Sequence, residues 1–274
     1  MTRSIAGLVV MTLLLAACAS EREVMVRVPV SRLELPEPAP RKFGAGPAFG
    51  GEARARLTPD QTTTVPDPDA PELSGEFTQI ARFDFQMQPT LGFALKGYQD
   101  GLAQAQIKWI ALGPGTERKP LSLALTAAYG FARGNVEFAG FNDSARTEFD
   151  QSVMDLALIF GFKLDPQWML YGGPYYVRSD YDGSHSAQRG GDPDVNFKFE
   201  GDIQLTGVNL GVAWSYADWG RLLAEYSLAR VEAGRRNDRL GQAAISAEFF
   251  FGRRADPVMA EAPNPPVEVV PVQH

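Results

Sequence analysis

The stretch 152-SVMDLALIFGF-162 has a large apolar residue at every second position. All five even-numbered positions from Met154 to Phe162 are apolar, and Asp155 and Gly161 lie on the other face. A period of two predicts a β-strand with one apolar face, because successive side chains of a strand point to opposite faces. The same period recurs in the stretches 77–87, 102–112, 121–131, 168–178, 200–216, 221–231 and 242–251. We therefore predict an all-β fold.

The connections between these strands differ in length. Short ones are expected at 164–167 and 217–220, with a modest one at 113–119. Long polar loops are expected at about 133–150 and 179–199, with a shorter one at 234–239. Short periplasmic turns and longer external loops are typical of antiparallel transmembrane β-barrels of the bacterial outer membrane. We favour eight strands, with 88–101 extending the first hairpin. As a strand of its own it would give nine, and ten are possible if part of 41–58 also pairs.

The tryptophans give an independent indication. All four lie within about four residues of the short connections: Trp109, Trp168, Trp214 and Trp219. Membrane barrels collect tryptophan at the level of the lipid headgroups, so we expect an aromatic girdle there. A soluble barrel or sandwich, the alternative, would distribute its tryptophans through the core.

Residues 1–17 have the features of an export signal. A positive charge at Arg3 precedes an apolar run over 5–15 that is too short to span a bilayer as a helix. The ending Leu15-Ala16-Ala17-Cys18 resembles the bacterial lipobox, in which the cysteine is lipidated and becomes the new N-terminus. The resemblance implies lipidation at Cys18, the only cysteine of the chain. In such lipoproteins an aspartate after the cysteine retains the protein in the inner membrane, so Ala19 implies transport to the outer membrane.

Proline-rich segments flank the strand region. The segment 18–73 contains nine prolines among charged and small residues: Pro29, Pro36, Pro38, Pro40, Pro47, Pro59, Pro66, Pro68 and Pro71. Such composition buries too little apolar surface to offset the entropy of ordering. We predict a signal peptide over 1–17, a lipidated mobile tether over 18–73 with one short strand within 22–30, a barrel over 74–252 and a mobile tail over 253–274.

The closing strands 222-LLAEYSLARV-231 and 242-QAAISAEFFF-251 resemble the end of eight-stranded outer-membrane barrels of the OmpA and OmpX type. Those families close with an L-x-x-E-Y strand, a polar loop and an alternating strand that ends in aromatic residues. The resemblance covers roughly residues 75–252 and implies an architecture more than an activity. The chain departs from the group in its lipoprotein signal and in the tail that follows Phe251.

The face of the strands opposite the lipid carries charge. By alternation, six charged residues point into the barrel: Arg82, Asp84, Lys108, Asp155, Glu225 and Glu248. The interior of an eight-stranded barrel is only wide enough for side chains, and unpaired charges there would be costly. We expect Arg82 to pair with Glu225 and Glu248, and Lys108 with Asp84. These pairs would form a salt-bridged plug.

Few residues point to catalysis, a metal or a cofactor. The formal net charge of −7 argues against a nucleic-acid partner. His185 lies between two serines in an expected loop, which is a poor platform for a nucleophile. The acidic residues Asp192, Asp194, Glu200 and Asp202 lack the spacing of a calcium loop. We therefore expect no enzyme, no catalytic or metal site and no cofactor.

The favoured function is a structural or envelope-interaction role in the outer membrane. The barrel and a lipid would attach the protein to outer-membrane lipid, the loops would face outward, and the two tails would contact the cell wall or an envelope protein assembly. Two alternatives remain open, a narrow channel for small solutes or ions and a lipid-modifying enzyme. Single-channel conductance and the mass of the membrane lipid would distinguish them.

Overall fold

The computed structural model describes residues 24–57, 67–113, 120–139, 143–189 and 195–254. No helix in the described part of the chain is long and apolar enough to cross a membrane. The described residues form eleven strands: β1 (Met25–Pro29), β2 (Arg41–Arg56), β3 (Glu72–Gln88), β4 (Leu91–Tyr98), β5 (Ala103–Leu112), β6 (Leu121–Ala139), β7 (Asp143–Lys163), β8 (Trp168–Arg189), β9 (Val195–Ala217), β10 (Gly220–Ala233) and β11 (Arg236–Arg254).

Strands β2 to β11 form a closed barrel. From β3 to β11 each strand pairs antiparallel with the next along the chain. Strand β2 closes the ring, because it pairs with β3 along one edge and with β11 along the other. The prediction of an antiparallel all-β barrel is confirmed. Within the described residues the barrel has ten strands, the possibility left open above, and the favoured number of eight is wrong.

The two additional strands are β2 and β4. Strand β4 pairs with both β3 and β5, so 88–101 contains a strand of its own. Strand β2 contains 43-FGAGPAFGG-51, in which glycines and Pro47 replace the large apolar residues that reveal a strand. At Gly46 a Cβ atom would lie 1.8 Å from the carbonyl oxygen of Ala247, so this close approach requires glycine. The barrel therefore begins at Arg41 and not at residue 74.

The outer face of the barrel carries exposed apolar side chains between two levels of aromatic residues. One level contains Trp109, Trp168, Trp214 and Trp219, and the other contains Phe77, Tyr129, Phe131 and Tyr226. Beyond the second level the exposed side chains form ion pairs such as Arg133–Asp150 and Arg178–Asp180. An apolar band between aromatic girdles is the surface of a barrel that spans lipid. The architecture is that of a bacterial outer-membrane barrel.

The two ends of the barrel differ. At the short-turn end, which includes the connections 89–90, 164–167 and 218–219, the strands stop near the tryptophans. At the extended end, β6 to β9 continue well past the second aromatic level. The predicted long loops at 133–150 and 179–199 are therefore wrong, since most of both ranges is strand. The outer face of these strand extensions is polar because it lies beyond the lipid band. The alternation of apolar and polar residues is therefore hard to see in the sequence, although the inner face includes the buried Phe149 and Phe199.

The lumen contains the chain segment that precedes the barrel. Residues 24–40, here called the lumen segment, begin with β1, which pairs antiparallel with β2 from Met25 opposite Arg56 to Pro29 opposite Glu52. Every residue from Val28 to Pro36 is buried. The prediction of a mobile tether over 18–73 is therefore wrong for residues 24–57. A ten-stranded barrel has a wider interior than an eight-stranded one, and the lumen segment fills space that side chains of the wall alone would leave.

Candidate functional site

The half of the lumen nearer the extended end is mostly apolar. Val24, Val26, Val28 and Val30 alternate along the lumen segment and are at most 2% exposed. They belong to one buried cluster with inward-facing residues of the wall: Val153, Val177, Ile203, Leu205 and Val231. We call this region the apolar half. It is a hydrophobic core inside a membrane barrel, and it also contains the buried carboxylate of Glu52, which pairs with Arg54 at 2.6 Å.

The other half, called here the charged half, surrounds residues 31–37. Glu225 accepts hydrogen bonds from the backbone amides of Arg32 at 2.7 Å and Leu33 at 2.8 Å. Asn209 and Ser227 also donate to this carboxylate, at 2.8 and 3.0 Å. Leu33 has a φ of 50°, a conformation that a bulky residue rarely adopts. The bonds from the wall hold the segment in this turn.

Arg32 extends from the turn toward the wall formed by β7 and β8. Its guanidinium pairs with the carboxylate of Asp155, and both side chains are almost completely buried. The guanidinium also lies over the ring of Tyr175, 4.6 Å from its centroid. A buried cation is tolerated when it is paired and hydrogen-bonded, and here a carboxylate and an aromatic face supply the compensation.

Glu34 faces the opposite wall, formed by β3 and β4. Its carboxylate lies 2.9 Å from Arg82 Nη1 and 2.9 Å from Lys96 Nζ. Arg82 binds the segment a second time by donating to the carbonyl oxygen of Leu33 at 2.7 Å. It also pairs with Asp84 at 2.6 Å and lies 3.7 Å from Glu248. The segment thus places Arg32 against a carboxylate of one wall and Glu34 against two cations of the opposite wall.

Weaker contacts follow toward the short-turn end. Lys108 Nζ donates to the carbonyl oxygens of Leu35 at 3.3 Å and Glu37 at 2.9 Å. Glu37 lies 3.7 Å from Lys163, and the amide of Ala39 donates to Gln86 at 3.1 Å. The cavity beside Glu34, Arg82 and Lys108 has a volume of about 10 Å³. That is about the space that one water molecule needs.

All six charged residues selected from the sequence point into the lumen, but their partners differ from those expected. Arg82 lies near Glu248, as expected, whereas Glu225 binds the lumen segment and not Arg82. Lys108 donates to backbone carbonyls of the segment and not to Asp84. Asp155, for which no partner was named, pairs with Arg32.

Other charged residues of this site were missed in the sequence, among them Arg32, Glu34, Lys96, Glu37 and Lys163. Lys96 had a usable signal, because Ala94, Lys96 and Tyr98 alternate with Phe93 and Leu95 within β4. Arg32 and Glu34 had none, because nothing in a proline-rich segment indicates that it enters a barrel.

The residues considered for catalysis or metal binding fall within β8 and β9 or in the sequence between them. His185 lies on β8 near the extended end, where its Nδ1 is 2.8 Å from the hydroxyl of Thr147, and burial lowers the pKa of its imidazole. Ser186, by contrast, is exposed and directed to the carbonyl of Arg146. Asp192 and Asp194 lie outside the described residues. In the described ranges no group of three or more potential ligands is placed to hold a metal ion.

Comparison with known proteins gives distant likeness only. No protein-family model matches the chain, and no curated protein matches its sequence. Among solved structures, it is similar to Ail of Yersinia pestis (8% identity, 76% of this chain and 98% of that chain, TM-score 0.31). It is also similar to Neisserial surface protein A (13%, 76% and 96%, 0.31) and to the Escherichia coli outer-membrane protease OmpT (11%, 80% and 100%, 0.38).

Because these identities and scores are low, the assignment of the fold rests on the strand pairing and the lipid-facing surface of this chain. Together they describe a ten-stranded transmembrane barrel, counted over the described residues, whose lumen is occupied by its own N-terminal segment.

Proposed function

We propose that this protein is an outer-membrane lipoprotein whose barrel is a closed anchor with a structural or envelope-interaction role. The observation that carries the proposal is the complementarity of the charged half. Arg32 of the lumen segment faces Asp155, Glu34 faces Arg82 and Lys96, and the turn between them is bound by Glu225. The charges of this wall fit the charges of a segment that stays bound in the lumen better than they fit solutes that pass through it.

The interactive surfaces would lie at the two ends. At the extended end, the hairpins β6–β7 and β8–β9 project beyond the lipid band with exposed ion pairs such as Arg146–Glu148. At the short-turn end, the chain leaves β11 after Arg254. The C-terminal tail, which follows Arg254, would contact the cell wall or an envelope assembly from this end. Crosslinking in intact envelopes followed by affinity purification would identify the partner.

Bilayer currents test the closed anchor. We expect the intact protein, reconstituted in a planar bilayer, to carry no steady current. The double variant Arg32→Ala/Glu34→Ala, which removes the ion pairs of the segment with Asp155, Arg82 and Lys96, should show intermittent openings. The matched control Arg178→Ala/Asp180→Ala removes one exposed pair from the outer face and should stay closed. A steady current through the intact protein would refute the closed anchor and favour the narrow channel.

Lipidation is tested separately. Cys18 ends a lipobox-like sequence, so Cys18→Ala should abolish labelling with radioactive palmitate and leave the precursor uncut. Normal processing and labelling of this variant would contradict the lipoprotein part of the proposal and leave the barrel unaffected.

A further inference from the structure

The course of the lumen segment places the chain before Val24 at the extended end. Strand β2 starts at Arg41 at the short-turn end and reaches the extended end at Arg56. Strand β1 runs antiparallel to it, with Met25 opposite Arg56. The carbonyl of Val24 accepts a hydrogen bond from the amide of Leu57 at 2.9 Å, so Val24 lies level with the far end of β2.

The other end of the segment is near the short turns. Glu37 lies beside Lys163, the last residue of β7, and Ala39 beside Gln86, two residues before the end of β3. The segment therefore crosses the whole barrel, from the extended end at Val24 to the short-turn end at Ala39.

Val24 also lies beyond the lipid band. Val24 is level with the end of β2, where Arg56 pairs with Glu72 of β3 and Arg54 pairs with Ser74. Glu72 and Glu76 are exposed there in ion pairs with Arg56 and Arg54, nearer the extended end of β3 than Phe77, the aromatic residue of the second girdle. By alternation they share the face of Thr78 and Arg82, so they lie at the mouth of the lumen, where it opens to water.

We infer that the N-terminal segment is threaded through the barrel, so that Cys18 lies at the extended end and its acyl chains enter the outer leaflet of the membrane. In outer-membrane barrels the short turns are periplasmic, which makes the extended end the cell surface. Five residues lie between Cys18 and Val24, and the six Cα–Cα steps that join these two residues span at most about 22 Å. That length reaches the near leaflet but cannot cross a hydrocarbon layer about 30 Å thick to the other leaflet.

The lipid in this inference rests on the proposed lipoprotein identity, whereas the position of Val24 rests on the strand pairing alone. The threaded arrangement has a functional consequence. The barrel and the lipid would hold the protein from the same outer side, and the lumen segment would connect them. A lipoprotein anchored in the periplasmic leaflet would instead carry its acylated cysteine at the short-turn end.

Accessibility of single cysteines tests the threading. Cys18 is the only native cysteine, and acylation would block its thiol, so an added cysteine reports alone. Intact cells that make Glu21→Cys, Asp150→Cys or Asp165→Cys are treated with a membrane-impermeant maleimide. Asp150 lies beyond the second girdle and Asp165 lies in a short turn. We expect labelling at positions 21 and 150 on intact cells, and at 165 only after permeabilisation.

The other outcomes separate the inference from the proposal on which it rests. Protection of position 21 together with labelling of position 150 would overturn the threading and keep the surface-facing barrel. Labelling of 165 with protection of 150 would overturn the orientation and with it the outer-leaflet placement.

Loss of native heat-modifiable migration would identify a misfolded variant. The threading is then tested by a disulfide between Val28→Cys and Ala53→Cys, two positions that are paired in the β1–β2 ladder. Failure of that disulfide to form in the folded barrel would contradict the position of β1.

Discussion

The apolar half and the charged half of the lumen hold the same chain segment by different physical means. Around Val26 and Val28 the segment is stabilised by burial of apolar surface, which is non-directional and tolerates small shifts. Around Arg32 and Glu34 it is held by ion pairs and hydrogen bonds with defined partners on two walls. Buried ion pairs contribute little net stability, because desolvation offsets their attraction, but a mismatch is costly. The comparison indicates that the apolar half supplies stability and the charged half sets the register of the segment.

The largest effect is expected in the charged half at Arg82. Arg82→Ala leaves Glu34, Asp84 and Glu248 without their shared cation. Removing one side of a buried pair typically costs about 3–5 kcal/mol, so the free energy of unfolding in detergent should fall by about that amount. Adding Asp84→Asn should recover part of the loss, because it removes one of the uncompensated charges. Strictly additive losses in denaturant titration would show that Arg82 is not coupled to Asp84.

A smaller effect is expected from Glu225→Gln. The carboxylate accepts four hydrogen bonds, two of them from the lumen segment. An amide keeps one acceptor and turns the other into a donor, and a hydrogen bond to a charged group is worth about 1.5–3 kcal/mol. We expect destabilisation of about 2–3 kcal/mol and faster hydrogen exchange at the amides of Arg32 and Leu33. Unchanged exchange at both amides would contradict the role of Glu225 in holding the turn.

In the apolar half, Val26→Ala and Val28→Ala should each cost about 2 kcal/mol, from two buried methyl groups at about 0.8 kcal/mol each and a small cavity. Val26 and Val28 belong to one buried cluster, so their effects should couple through the shared cavity, but less strongly than the paired charges at Arg82. Thermal unfolding of the single and double variants measures this. Strong coupling here, comparable to that at Arg82, would remove the distinction between the two halves.

The smallest effect is expected at the rim of the charged half. Lys163 and Glu37 are 3.7 Å apart with side chains that are 23% and 14% exposed. Pairs near water contribute about 1 kcal/mol or less, so Lys163→Ala should change the unfolding free energy by less than that. Bilayer currents of this variant should match those of the intact protein. A large loss of stability would mean that the register is set at the rim and not at Arg82.

The failures of prediction have identifiable causes. Strand β2 was hidden because its glycines and Pro47 suit close packing against β11, whereas strand signals depend on large side chains. The extensions of β6 to β9 were hidden because water, not lipid, contacts their outer face. The partners of Glu225 and Lys108 were predicted among wall residues because the lumen segment was taken to lie outside the barrel.

The sequence by itself determined the transmembrane barrel, its lipid-facing residues and the inward direction of Arg82, Asp84, Lys108, Asp155, Glu225 and Glu248. All of these follow from the period of two, a local property of each strand. Only the tertiary structure decided the number of strands, the partners of the lumen charges and the path of residues 24–40. These depend on contacts between segments far apart in the chain, such as Arg32 with Asp155 and Leu33 with Glu225. A segment too poor in apolar residues to form a core alone becomes ordered because the barrel supplies partners for its valines, its charged side chains and its backbone amides.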